Sequence, residues 1–181
     1  FRYIVQEFLW RGNMAEKQRF HYCPQCGGKL CRQLRGDRQR LVCQVCSYVL
    51  YENPVVGVAA ILLEEGKILL GRRAAQATYA GLWCIPCGYV EYDEDVYDAI
   101  RREFAEETGF QIRIDSVFTV QSNFHNPDNH TVGIWFSACR TGGRLCPGDD
   151  LDRVDWFAVD DPPPLAFPTD EKVLVMMKRK M

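Results

Sequence analysis

Arg102, Glu103, Glu106 and Glu107 crowd one guanidinium and three carboxylates into six residues, Arg-Glu-Phe-Ala-Glu-Glu. Side chains three and four apart on a helix share a face, so the three glutamates can present their carboxylates to one spot. Like charges held that close repel one another unless cations neutralise them. Hard divalent ions such as Mg²⁺ favour a few carboxylates, retained waters and phosphate oxygens, so this cluster suggests a magnesium–phosphate site. Taken alone, the same run also describes a solvated helix face laced with Arg–Glu pairs.

A second set is made of thiols. Cys23-Pro-Gln-Cys26 and Cys43-Gln-Val-Cys46 are separated by sixteen residues, the spacing of a four-thiolate structural zinc site. Thiolates select zinc over magnesium, and a closed tetrahedral site holds a fold without leaving room for chemistry. A redox pair or four unrelated buried thiols are the alternatives. Neither accounts for two pairs with Gly27 behind the first knuckle.

These residues need elements to position them. Glu94 to Thr108 reads as a helix, with Ala99, Ile100 and Phe104 on one side and Gly109 at the C-terminal cap. Ahead of it, Val55 to Leu63 and Lys67 to Arg72 are β-branched-rich runs around Glu64-Glu65-Gly66, a hairpin pattern. Gly81 to Tyr92 is irregular, broken by Pro86 and Gly88. Strands are expected at Gln111 to Gln121, His130 to Cys139 and Arg153 to Val159. A stiff Pro162–Pro164 connector and a helix from Thr169 to Lys178 follow. Strands on both sides of a central helix indicate a mixed α/β sandwich rather than a doubly wound parallel fold.

Residues 23–51 look like knuckle, strand, knuckle, strand, and Asn53-Pro54 is a natural boundary because proline biases its predecessor towards extended backbone. The expected organisation is a zinc ribbon over residues 14–53 and a catalytic domain over 54–181. Residues 1–13 are read as an appended or disordered segment ahead of Met14 that lacks signal-peptide features. Within it, Ile4, Val5, Phe8 and Leu9 could form a short apolar helix face.

With 47% hydrophobic and 25% charged residues and no long apolar run, the 181-residue chain reads as soluble and globular, not as a membrane protein. The formal net charge of −2 hides an asymmetry. Residues 14–53 carry seven Lys/Arg against three Asp/Glu, whereas residues 54–181 carry thirteen against twenty. The acidic part would repel a polyphosphate unless divalent cations intervene. Nine cysteines, five of them outside the two knuckles, fit a reducing, cytoplasmic compartment better than a disulfide scaffold.

From Gly88 to Phe110 the sequence GYVEYDEDVYDAIRREFAEETGF matches every fixed position of the 23-residue Nudix box: Gly88, Glu94, Arg102-Glu103, apolar Phe104, Glu106-Glu107, Gly109 and apolar Phe110. On these residues, chain segment 54–181 resembles the Nudix hydrolases, an α/β/α sandwich with a mixed sheet. The resemblance implies metal-activated attack of water on a diphosphate, with Mg²⁺ or Mn²⁺ as cofactor. It makes Glu103 and Glu107 the main metal ligands and adds Glu106 to their cluster. Arg102 would hold the glutamates, Glu94 would pair with it or bind metal through water, and a carbonyl of Cys87 or Gly88 would complete the shell. The family's usual Pro-Gly-Gly is Pro86-Cys87-Gly88 here, which leaves the carbonyl but alters the turn. The general base varies within the family, and Glu106, Glu91 and the Asp149/Asp150/Asp152 group are candidates.

A zinc ribbon directly ahead of a Nudix box resembles NADH, FAD and ADP-ribose pyrophosphatases. The NADH-specific SQPWPFPxS stretch is replaced by QSNFHNPDNHT, which argues against strict NADH specificity. Pro127 lies seventeen residues past the box, near where ADP-ribose pyrophosphatases often carry a proline. Tyr79, Trp83, Phe124 and Phe167 are the aromatic residues available to hold a base, with His125 and His130 near phosphate or ribose. Each aromatic reads more readily as core than as slot. The expected partner is a small-molecule nucleotide, and a homodimer is allowed. Nucleic acid is not favoured, because Lys29, Arg32, Arg35, Arg38 and Arg40 lack an evident aromatic stacking set. A nucleotide-sanitising or decapping hydrolase, or a binding module with a silent hydrolase domain, are the competing functions.

Overall fold

The computed structural model describes residues 18–179, which form two compact units divided between Asn53 and Pro54. The helix face expected within residues 1–13 lies outside the described residues.

The first unit is a three-stranded antiparallel meander of β1 (Leu30–Arg35), β2 (Arg38–Cys43) and β3 (Val49–Leu50). Its core is Cys23, Leu30, Leu41 and Cys43, with Tyr48 and Leu50 packed against it. So few apolar side chains cannot hold a fold of this size, which is the regime where a bound metal commonly supplies the missing stability.

The second unit contains β4 (Val55–Glu64), β5 (Lys67–Arg73), β6 (Trp83–Cys84), β7 (Cys87–Tyr89), α1 (Val96–Thr108), β8 (Phe110–Asn123), β9 (Thr131–Gly143), β10 (Leu151–Ala158) and α2 (Pro168–Lys178). The sheet runs β10-β5-β4-β9-β8, with β6 on β5 and β7 on β4. Only β4 and β9 pair in parallel, so the sheet is mixed. Residues Val58 to Leu62 are all buried because both faces of β4 are covered. Val58, Ala60 and Leu62 join Ala99, Ile100 and Phe104 of α1 in one layer. Ala59 and Ile61 join Val173, Leu174 and Met177 of α2 in the other. Two helices on opposite faces of one sheet give the α/β/α sandwich.

Helix α1 begins two residues later than its charge pattern suggested. The Asp95 side chain accepts a 2.8 Å hydrogen bond from the Tyr97 N–H and caps the first turn, so Val96 is the first helical residue. Glu94 therefore sits ahead of the helix, free to fold back along it. At the other end Gly109, at φ 73°, donates its N–H to the Ala105 carbonyl.

Candidate functional site

Arg102 is the hub of the charged cluster. Its Nε and Nη2 each lie 2.8 Å from a Glu94 oxygen, a bidentate pair. Nη1 donates to Glu103 Oε1 at 2.9 Å and to Glu106 Oε2 at 3.1 Å, and Nη2 also reaches the Tyr89 carbonyl at 3.2 Å. The guanidinium holds the Glu94 carboxyl below its ordinary value. Glu103 moves the other way, because its burial outweighs Arg102.

Glu107 turns elsewhere. It is 1% exposed, and its Oε2 accepts a 2.8 Å hydrogen bond from the Cys87 N–H. Burial pushes its carboxyl well above the ordinary range, and the neighbouring Cys87 thiol and Asp150 carboxyl add to the rise. Glu103 lies beside the same segment: a Cβ on Gly88 would collide with its carboxyl group. The glycine at 88 is thus required by the space that Glu103 occupies.

The β4–β7 ladder distinguishes the two candidate carbonyls. The Ala60 N–H donates to Pro86 O and the Val90 N–H to Val56 O, both at 3.1 Å, and Gly88 lies opposite Val58. Alternation along an antiparallel pair therefore engages the Gly88 carbonyl with β4 and turns both the N–H and the C=O of Cys87 towards α1. Cys87, not Gly88, has the available oxygen.

The three helical glutamates do not gather at a single point, as their spacing had suggested. Among the described residues, only the four knuckle cysteines bring three or more side-chain ligand atoms within 4.8 Å of one another. Arg102 draws Glu103 and the half-exposed Glu106 to one side, while the Cys87 N–H holds Glu107 on the other. Mutual repulsion makes that division the favourable arrangement without a cation.

The loop before β10 supplies further acids. The Gly148 N–H donates to the Glu107 carbonyl at 3.1 Å, seating the loop on the end of α1. Asp149, at φ 51°, adds its charge to Glu103, and Asp150 faces Glu107. Asp150 Oδ2 is 2.8 Å from Arg73 Nη1, whereas its Oδ1 is buried without a partner. Such an orphaned oxygen suits a cation or a proton donor brought by a ligand. Asp152 is drawn away by Arg72 at 2.7 Å, and Glu91 is exposed.

Arg73, 8% exposed, gives Nε to the Thr78 carbonyl at 3.1 Å and Nη2 to Thr78 Oγ1 at 3.3 Å. Its guanidinium lies 5.6 Å from the Phe167 ring centroid. Beside it, Tyr79 meets Phe167 edge-on at 5.6 Å and His125 at 5.8 Å. Arg73 therefore joins the acidic cluster to a group of three rings.

Two of the four expected base-binding aromatics do not belong there. Trp83 is 9% exposed and packs on Phe157 at 4.7 Å, because β6 pairing with β5 turns its indole into the α2-side core. Phe124 is exposed and meets His130 at 5.0 Å, apart from the Tyr79 group.

Sequence reasoning missed Arg73 and Asp170. Asp170, 2% exposed, accepts from the Ile85 N–H at 3.0 Å and the Trp135 indole N–H at 3.2 Å, fixing the segment that leads to Cys87. Burial pushes its carboxyl up to about 7. Neither residue lies in a motif or periodic pattern; only strand pairing and helix docking bring them to the site.

In the first unit, the Sγ atoms of Cys23, Cys26, Cys43 and Cys46 all lie within 4.8 Å of one another, with contacts of 3.3, 3.5 and 3.7 Å. A tetrahedral ion with Zn–S bonds of about 2.3 Å needs sulfurs roughly 3.8 Å apart, so the set fits zinc. The N–H groups of Val45 and Cys46 point at Cys43 Sγ. The Cys43 thiol is lowered to about 6, chiefly by the Cys46 N–H.

Comparison with known proteins bears on both units. The family model described as NUDIX domain matches residues 52–176, and the one described as Nudix N-terminal, a zinc ribbon, matches residues 21–52. An ADP-ribose pyrophosphatase of Methanocaldococcus jannaschii is 34% identical over 134 residues, 74% of this chain and 79% of that protein. An NAD-capped RNA hydrolase, NudC, of Vibrio parahaemolyticus is 28% identical over 164 residues, which cover 90% of this chain but 60% of the relative's length. The crystal structure of a NUDIX hydrolase from Nitrosomonas europaea matches with a TM-score of 0.76 at 31% identity, covering 86% of this chain and 88% of that one.

Proposed function

This chain belongs to the Nudix hydrolase family, and from that premise we propose a Mg²⁺-dependent (or Mn²⁺-dependent) pyrophosphohydrolase cutting the diphosphate of a nucleoside diphosphate derivative of the ADP-ribose, FAD or NADH type. The products are two monophosphates. The observation that carries this reading is that the Glu103 and Glu107 carboxyls both lie against the Cys87–Gly88 backbone, with Asp150 facing Glu107.

Glu103, Glu107 and the Cys87 carbonyl would hold the cation, with Glu106 adding a fourth oxygen donor. A divalent ion held by these residues would supply charge neutralisation for the diphosphate and a more acidic water. Arg102 orients the cluster, being bonded to Glu94, Glu103 and Glu106 at once. Asp149 and Asp150 are better placed than Asp152 or Glu91 to accept a proton, since both lie beside the glutamates. Tyr79 and Phe167 form one wall for a base, with His125 closing it, and Arg73 fixes that wall relative to Asp150. The four knuckle cysteines hold one zinc, which requires them to stay reduced as in the cytoplasm. Among the described residues, no helix is long and apolar enough to cross a membrane.

Incubation with Mg²⁺ and ADP-ribose, FAD, NADH, NAD-capped RNA, dinucleoside polyphosphates and oxidised nucleoside triphosphates tests the reading. ADP-ribose is expected to give AMP and ribose 5-phosphate. Absence of monophosphate from every compound, with either metal, overturns it. Cleavage of NAD-capped RNA alone favours a decapping role, a second reading supported by the NudC match across the ribbon as well as the catalytic unit.

A further inference from the structure

Among the described residues, seven of the nine arginines of the second unit pair with a carboxylate, whereas three on the ribbon hairpin do not. Arg72, Arg73, Arg101, Arg102, Arg113, Arg140 and Arg153 each sit within 3.1 Å of a carboxylate oxygen. Arg35, Arg38 and Arg40 pair with no carboxylate among the described residues; Arg35 donates to Gln33, and Arg40 lies over the Tyr51 ring.

The register places these three together. Arg35 stands directly opposite Arg38, and Gln33 opposite Arg40, across the β1–β2 pair. Positions 33 and 35 alternate on one strand and 38 and 40 on the other, so all four side chains share a face. Gly36, at φ 64°, makes the turn tight enough to bring Arg35 and Arg38 opposite each other. Like charges directly across a strand pair are destabilising, and with Asp37 the one acid in the turn between them, the three arginines leave the hairpin net positive and suited to an anionic partner.

Tyr51 supplies what the sequence did not reveal. It is 59% exposed, and the Arg40 guanidinium lies 5.0 Å from its ring centroid. The flat ring and guanidinium stand beside the basic tip, pairing a stacking platform with phosphate-binding charge. Single-stranded nucleic acid has the matching chemistry: a line of phosphates and unstacked base faces. An anionic membrane or an acidic protein would use the charge but not the platform.

We propose that the β1–β2 hairpin, with Arg35, Arg38, Arg40 and Tyr51, binds the backbone of single-stranded nucleic acid. The surface stands independently of the catalytic reading.

The test is fluorescence anisotropy of a labelled 12-nucleotide RNA, and of its DNA counterpart, with the full chain between 50 and 200 mM KCl. Wild type is expected to bind with a steep salt dependence. The triple variant Arg35→Ser/Arg38→Ser/Arg40→Ser is expected to flatten the log–log salt slope by about 2, at roughly 0.7 per arginine–phosphate contact. Tyr51→Ala should weaken binding roughly tenfold while leaving the slope unchanged. Retained zinc content shows that the variants stay folded. Equal binding by wild type and triple variant overturns the proposal, as does binding of phosphatidylserine vesicles without binding of either oligonucleotide. ADP-ribose hydrolysis by the triple variant should match wild type; loss of hydrolysis in both proteins would count against the catalytic reading while leaving the binding result to stand.

Discussion

Glu107→Gln separates charge from shape at the centre of the candidate site. Glutamine has the same outline and keeps a carbonyl oxygen to accept the Cys87 N–H, now at 2.8 Å from Oε2. It removes a negative charge from a side chain that is 1% exposed and faces Asp150. If that charge binds the cation that neutralises the reacting diphosphate, kcat should fall by roughly 10²–10³, about 3–4 kcal/mol of barrier. Stability should change little. Without a cation, burial and the neighbouring Asp150 carboxyl already favour the protonated form of Glu107, so a neutral amide of the same shape costs the fold little. The expectation is nearly unchanged stability in Mg²⁺-free buffer. Initial rates at saturating ADP-ribose and urea melts on the same samples measure both quantities. A variant with near-native kcat would refute the ligand role. A variant destabilised by several kcal/mol would show instead that Glu107 serves mainly to anchor the Cys87 segment.

Gly88→Ala drives a methyl into the Glu103 carboxyl, so Mg²⁺-dependent activity should fall at least roughly tenfold while the circular dichroism spectrum is kept; unchanged activity would mean Glu103 can move away without consequence. Asp170 is raised from 3.8 to about 7 in the folded state, so its contribution is full below pH 3.8 and lost as pH rises through 7. The loss totals about 4 kcal/mol, with roughly 2–3 kcal/mol of it between pH 5 and 8. Urea melts should show that decline in wild type and not in Asp170→Asn, and parallel profiles would contradict it. Metal analysis should find about one zinc per chain, and Cys43→Ser should lose it together with the protection of ribbon amides from hydrogen exchange; retained protection would show that the apolar core suffices.

The order of elements was legible because it rests on local chemistry. Continuous apolar runs on either side of Glu64-Glu65-Gly66 marked β4 and β5, helical spacing of Ala99, Ile100 and Phe104 marked α1, and Gly109 marked its end. The extra length of β8 and β9 was not: they run to fourteen and thirteen residues by pairing with each other through three register shifts. Burial of Trp83 was illegible for the same reason, since an aromatic side chain reads alike whether its strand turns it into the core or out to solvent.

For the site, the sequence by itself determined which residues carry charge or sulfur and how far apart they stand along the chain. That sufficed for the two C-x-x-C knuckles and for the Arg102–Glu107 run, because both are encoded in short spacings. Only the tertiary structure decided how the carboxylates divide. Arg102 takes Glu94, Glu103 and Glu106, and the Cys87 N–H takes Glu107. It also brought Arg73, Asp150 and Asp170 to the same place from three separate elements. Electrostatic partnership depends on distance through space, and sheet pairing and helix docking, which join residues tens of positions apart, set that distance.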